Sequence, residues 1–93
     1  MSVQILIPTP LRQFTSNLES VAVEGNTVGE AMKSLCAKYA PLQKHLYSED
    51  GKLRNFVNVY VNDEDIRYLQ KEATPISAKD ILSIIPSIAG GIY

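Results

Sequence analysis

The clearest alternation in the chain runs over residues 56–61, where Val57, Val59 and Val61 point one way and Asn58 and Tyr60 the other, the period of two that marks a half-buried strand. Residues 20–24 repeat the pattern with Val21 and Val23 on one face, and Gly25 and Asn26 end it. Residues 3–7 are rich in strand formers and stop at Pro8 and Pro10, neither of which can donate to a ladder. Residues 11–17 then read as a connecting turn, so the first two strands are expected to form a hairpin. Residues 81–86 form an apolar run with the length and composition of a buried strand. A short edge strand is expected at residues 66–68, after a turn at residues 62–65.

The period changes between residues 27 and 41. Thr27 and Glu30 match a capping box, in which a Thr side chain and a Glu three residues later satisfy free amide groups reciprocally. The helix opened there places Val28, Ala31, Met32, Leu35, Cys36 and Tyr39 on one stripe, with Glu30, Lys33, Ser34 and Lys38 toward water. Pro41 stops it, because the residue before a proline is driven out of the helical region. Residues 42–47 are expected to add a short helical turn. Residues 48–52 and 78–80 read as turns and residues 70–76 as loop.

The resulting order, β-β-α-β-β-β, requires the one amphipathic helix to cover one face of the sheet, since neither layer can bury its apolar side alone. The expected fold is α+β, a β-grasp: a mixed five-stranded sheet curled around one main helix. Residues 1–86 form that domain, and residues 87–93 are expected to be a flexible tail.

Composition narrows the function. A chain of 93 residues is one domain with one modest core. With a net charge of −1 and no basic block, nucleic acid has no electrostatic footprint to meet. No charged leader runs into a long apolar stretch and none approaches a membrane span, so a soluble, cytoplasmic protein is expected. One cysteine rules out an internal disulfide, and Cys and His lack metal-ligand spacing, so no metal is expected. His45 sits among polar neighbours and reads as a surface residue. Cys36 lies on the helix stripe and reads as a packing thiol. Asp63, Glu64 and Asp65 lack the spacing and glycine of a calcium loop and read as solvated. Lys33, Lys38 and Lys44 read as keeping the helix side wet. No nucleophile–base pair stands out, so no catalytic residue is assigned.

What remains is the final stretch, Ser87, Ile88, Ala89, Gly90, Gly91, Ile92 and Tyr93. A Gly-Gly pair near a terminus is expected to be mobile, and it fits a channel too narrow for any side chain. Taken with Ile7-Pro8-Thr9, Leu11-Arg12, the run from Phe56 to Asp65, and Arg67, the pair Gly90-Gly91 gives the chain a resemblance to the ubiquitin-like sulfur carriers of the ThiS/MoaD type. The branch that carries sulfide for cysteine biosynthesis is the nearest in pattern.

The resemblance implies a protein co-substrate, not an enzyme. A ubiquitin-activating-like adenylyltransferase/sulfurtransferase would use ATP to adenylate the Gly91 carboxylate, and sulfide or a persulfide would convert it to a thiocarboxylate. A cysteine-synthase-like or homocysteine-forming enzyme would then receive the sulfur. Ala89 and Gly90 would thread the tail into the activating site. The chain departs from the mature pattern because Ile92 and Tyr93 follow Gly91, and a JAMM-type zinc metallopeptidase is expected to remove them. Ile88, Tyr60 and Arg67 are the expected partner contacts. A lysine-conjugated modifier, the small subunit of molybdopterin synthase and an inert β-grasp interaction domain are the competing readings.

Overall fold

The computed structural model describes residues 2–54 and 57–86. Strand β1 (Ser2–Leu6) pairs antiparallel with β2 (Ser20–Glu24), with Val3 opposite Val23 and Ile5 opposite Val21. Helices α1 (Val28–Lys38) and α2 (Leu42–Leu46) follow, then β3 (Val57–Val61), the two-residue β4 (Glu64–Asp65) and β5 (Ile81–Pro86). The sheet order is β2-β1-β5-β3-β4, with β5 parallel to β1 and antiparallel to β3. This is the expected β-grasp, and the last strand of the chain is its centre.

Alternation explains which face is covered. Val3, Ile5, Val21, Val23, Val57, Val59, Val61, Leu82 and Ile84 are buried on one side of the sheet. Against them lies the α1 stripe, whose Val28, Ala31, Met32 and Leu35 are all 0% exposed, with Cys36 at 7%. Burying a Val, Leu or Met side chain contributes about 1.5–3 kcal/mol, so this stripe seats the helix. The cap at its start is nearly the expected one. Thr27 Oγ1 accepts from Glu30 N at 3.2 Å, but Glu30 Oε1 reaches Asn26 N at 2.9 Å, one residue before the cap.

Several local expectations are corrected. Residues 66–68 are a 3-10 helix (Ile66–Tyr68), not a strand, and the edge strand lies at Glu64–Asp65, inside the segment read as a turn. The cause is Asp65, whose carboxylate accepts from Arg67 N at 2.9 Å and caps the helix. Asp65 is itself buried at 7% exposure, not solvated. Short 3-10 helices at Thr9–Phe14 and Lys71–Ala73 occupy stretches read as turn and loop. Ser34 and Lys38 do not simply face water. Ser34 Oγ donates to Glu24 O at 2.8 Å and Lys38 Nζ to Ala22 O at 3.0 Å, capping carbonyls of the edge strand β2. Phe56, assigned to the third strand, lies outside the described residues.

Candidate functional site

The site expected from sequence begins where β5 ends. β5 is held on both sides, by β1 and by β3, with Pro86 opposite Val57 and Ile85 opposite Asn58. Its start is pinned as well. Asn62, in a left-handed conformation at φ 60° that Asn tolerates, donates its backbone N–H to Ile81 O at 2.7 Å. Its Oδ1 accepts from Ile81 N at 3.2 Å and its Nδ2 donates to Asp80 Oδ1 at 3.1 Å. Hydrogen bonds from Ser77 N and from Asn62 hold the Asp80 carboxyl below the usual range. The segment after Pro86 therefore starts from a strand fixed at both edges and at its beginning. Ile88, Ala89, Gly90, Gly91, Ile92 and Tyr93 lie outside the described residues.

Two of the expected partner contacts are brought together. Tyr60 is half-buried on β3, in register with Asp65 on β4. Arg67 Nη2 donates to Asp65 Oδ2 at 2.7 Å, and Arg67 Nε lies 3.2 Å from both carboxylate oxygens. The guanidinium also reaches Asn58 Oδ1, two residues along β3 on the Tyr60 side. Hydrogen bonding from Arg67 holds the Asp65 carboxyl low, and the same pairing raises Arg67 further. Arg67 stays 60% exposed while covering its partner, so it is a cation fixed at one place on the surface.

The outward face of the sheet carries an apolar surface that residue-by-residue reading missed. Leu6 is in register with Ser83, and Ser83 with Tyr60, so these three form one row across the sheet. Ile81 and Ile85 flank that row along β5 at 43% and 48% exposure, with Leu6 at 43%. The expectation of a fully buried final strand is thus corrected: Leu82 and Ile84 point into the core and Ile81 and Ile85 do not. The signal was present, because five apolar residues in six leave an apolar outer face once the inner one is covered.

The remaining candidates take the bland roles. Cys36 is buried and desolvation raises its thiol, which keeps it protonated. His45 is exposed and stacks on Phe14 with ring centroids 4.4 Å apart. Among the described residues, no group of three or more His, Cys, Asp or Glu side chains could hold a metal ion. Among the same residues, no helix is long and apolar enough to cross a membrane.

Comparison with known proteins gives the geometry a family. The ThiS family model matches residues 5–91, from β1 to the second glycine of the Gly-Gly pair. The sulfur carrier protein CysO of Mycobacterium tuberculosis is 43% identical over 93 residues, covering 98% of this chain and 100% of that protein. The small archaeal modifier protein 3 of Haloferax volcanii is 38% identical over 65 residues, 70% of each chain. Among solved structures, the BexX/CysO complex of Amycolatopsis orientalis matches at a TM-score of 0.86 and 39% identity, covering 96% of this chain and 99% of that one.

Proposed function

The chain belongs to the ThiS family, and from that membership we propose that it is a sulfur carrier whose working group is the carboxylate of Gly91. The observation that carries the proposal is the span of the family match, which runs through Gly90 and stops at Gly91, leaving Ile92 and Tyr93 beyond it. Identity to a sulfur carrier along almost the whole chain supports it.

In the proposed cycle, a zinc peptidase of the JAMM type first hydrolyses the Gly91–Ile92 peptide bond and frees the Gly91 carboxylate. That carboxylate attacks the α-phosphorus of ATP on an activating enzyme, releasing pyrophosphate and forming an acyl adenylate. Sulfide attacks the acyl carbon, AMP departs with the bonding electrons, and a thiocarboxylate remains. Its sulfur then attacks an electrophilic carbon held by an acceptor enzyme of the cysteine-synthase-like or homocysteine-forming kind, displacing that carbon's leaving group. Water cleaves the resulting acyl–sulfur bond, leaving the sulfur on the acceptor and restoring the Gly91 carboxylate. ATP and sulfide are bound by the partners, and this chain supplies a substrate group. From Ser87 to Gly91 the chain can extend by about 17 Å, enough to carry the carboxylate into a neighbour's cleft. Ala89 and Gly90 bring little or no side chain to that passage. Partner contact draws on Tyr60, Arg67 and Ile88, with Leu6, Ile81 and Ile85 on the same outer face as Tyr60.

Intact mass spectrometry tests the reading. A chain ending at Gly91, incubated with the activating enzyme, ATP and sulfide, is expected to exchange one oxygen for sulfur. The full chain ending at Tyr93 is expected to stay unchanged until the peptidase is added. Conversion of the full chain without loss of Ile92 and Tyr93 would sink the proposal. A second reading, conjugation to lysines, is favoured by the likeness to an archaeal modifier protein. Adducts on other proteins in the same experiment would select it.

A further inference from the structure

Beside the end of β5 lies a cleft of about 330 Å³ in which the sign of the surface charge changes. It is lined by Lys52 and Arg54 ahead of β3, Arg67 after β4, and Lys71 from the 3-10 helix, with Asp65 and Glu72 as its only carboxylates among the described residues. Four cations against two anions make the lining +2 in a chain of net charge −1, so the rest of the surface carries −3. Both carboxylates are engaged already. Asp65 is forked by Arg67, and Glu72 accepts from Tyr47 Oη at 3.1 Å. Lys52, Arg54 and Lys71 have no ion pair among the described residues.

Two of these cations are held in place, Arg67 by the Asp65 carboxylate and Arg54 by a backbone carbonyl. Arg54 Nε donates to Lys44 O at 3.0 Å, which fixes its guanidinium. Lys71 has a left-handed backbone, φ 54°, an uncommon conformation for a residue with a side chain and one in which glycine would be unstrained. Apolar side chains, Leu53, then Val57 and Val59 of β3, and Ile66, complete the lining. Val57 is in register with Pro86, so the cleft borders the point where β5 ends.

We propose that this cleft is a docking site for an extended acidic segment of a partner protein, one with apolar residues between its carboxylates. Resting on the carrier reading, that partner is the enzyme that activates Gly91. The lining chooses the occupant. Cations drawn from three separate segments, spaced by apolar side chains, match carboxylates spread along a peptide better than one compact anion. The negative remainder of the surface repels a long polyanion such as nucleic acid.

The test uses the full chain, with amide chemical shifts followed by NMR during titration with an acetylated Glu-Leu-Glu-Leu-Glu peptide, inorganic phosphate or a single-stranded DNA oligonucleotide. The peptide is expected to move the amides of Lys52, Arg54 and Lys71, and high salt to abolish the effect. Lys71→Gly relieves the backbone and removes a charge, so it keeps the fold. Combined with Lys52→Glu it is expected to weaken peptide binding about tenfold. Shifts scattered over the surface, shifts unchanged in the double variant, or equal response to phosphate or DNA would each overturn the proposal. In ATP–pyrophosphate exchange with the chain ending at Gly91, the double variant is expected to raise KM about tenfold with kcat unchanged. Absence of exchange with the wild-type chain would count against the carrier reading alone; normal exchange in the double variant would count against the cleft.

Discussion

Replacing Gly25 with alanine tests how closely α1 is seated on the sheet. Gly25 follows β2 and faces the start of the helix. A Cβ there would stand 2.7 Å from Ala31 N, 3.0 Å from Ala31 Cα and 3.1 Å from the Glu30 carbonyl carbon. All three atoms are backbone, so no side chain can rotate away, and α1 must retreat by several tenths of an ångström. The helix has nowhere to go cheaply, because Val28, Ala31, Met32 and Leu35 are completely enclosed and interiors are packed to crystal-like density. Overpacking of this kind costs about 1–3 kcal/mol. Restricting the unfolded chain returns about 0.4–1 kcal/mol, which leaves a net loss of about 1–2 kcal/mol. For a domain of this size that lowers Tm by about 10 °C. The assay is urea unfolding at constant m-value, with amide shifts of α1 recorded alongside. Gly51→Ala is the control: its φ of 81° is strained for alanine but nothing lies within 4 Å, so about 1 kcal/mol is lost while α1 shifts stay put. An unchanged urea midpoint for Gly25→Ala, or destabilisation with α1 resonances unmoved, would refute the close-approach argument.

Two further outcomes follow from the same structure. Asp65 has its carboxyl lowered from 3.8 chiefly by the Arg67 hydrogen bond, so the unfolded chain binds more protons as acid is added. Its stabilisation is complete above about pH 4 and is lost as pH falls through the lowered native value. Asp65→Asn is expected to unfold with a shallower pH dependence below pH 4 in urea midpoints, and an unchanged slope would show that the Arg67 pairing contributes nothing to stability. Cys36, buried with a raised thiol, is expected to react with Ellman's reagent only slowly in native buffer and at once in denaturant; equal rates would mean the helix stripe is open.

Local chemistry determined much of this protein. The alternation of Val57, Val59 and Val61, the stripe from Val28 to Cys36, the Thr27–Glu30 cap and the stop at Pro41 each depend on neighbours within a few residues. Those features survive, down to which valines are buried, with Glu30 reaching Asn26 N where the reciprocal cap was expected at Thr27. The Gly90-Gly91 pair and the span of the family match through Gly91 are properties of the sequence as well. Long-range arrangement decided the rest. One exception is local: Asp65, by accepting from Arg67 N two residues on, made a 3-10 helix of a stretch with strand-like composition. Lys38 and Ser34 reached carbonyls of β2, 16 and 10 residues earlier in the chain. The placing of β5 between β1 and β3 left Ile81 and Ile85 outward. The cationic cleft gathers Lys52, Arg54, Arg67 and Lys71 from segments that no sequence period connects. Periodicity reports which way a side chain points within its own element; which residues then meet depends on how the elements cross, and that is set only when the whole core closes.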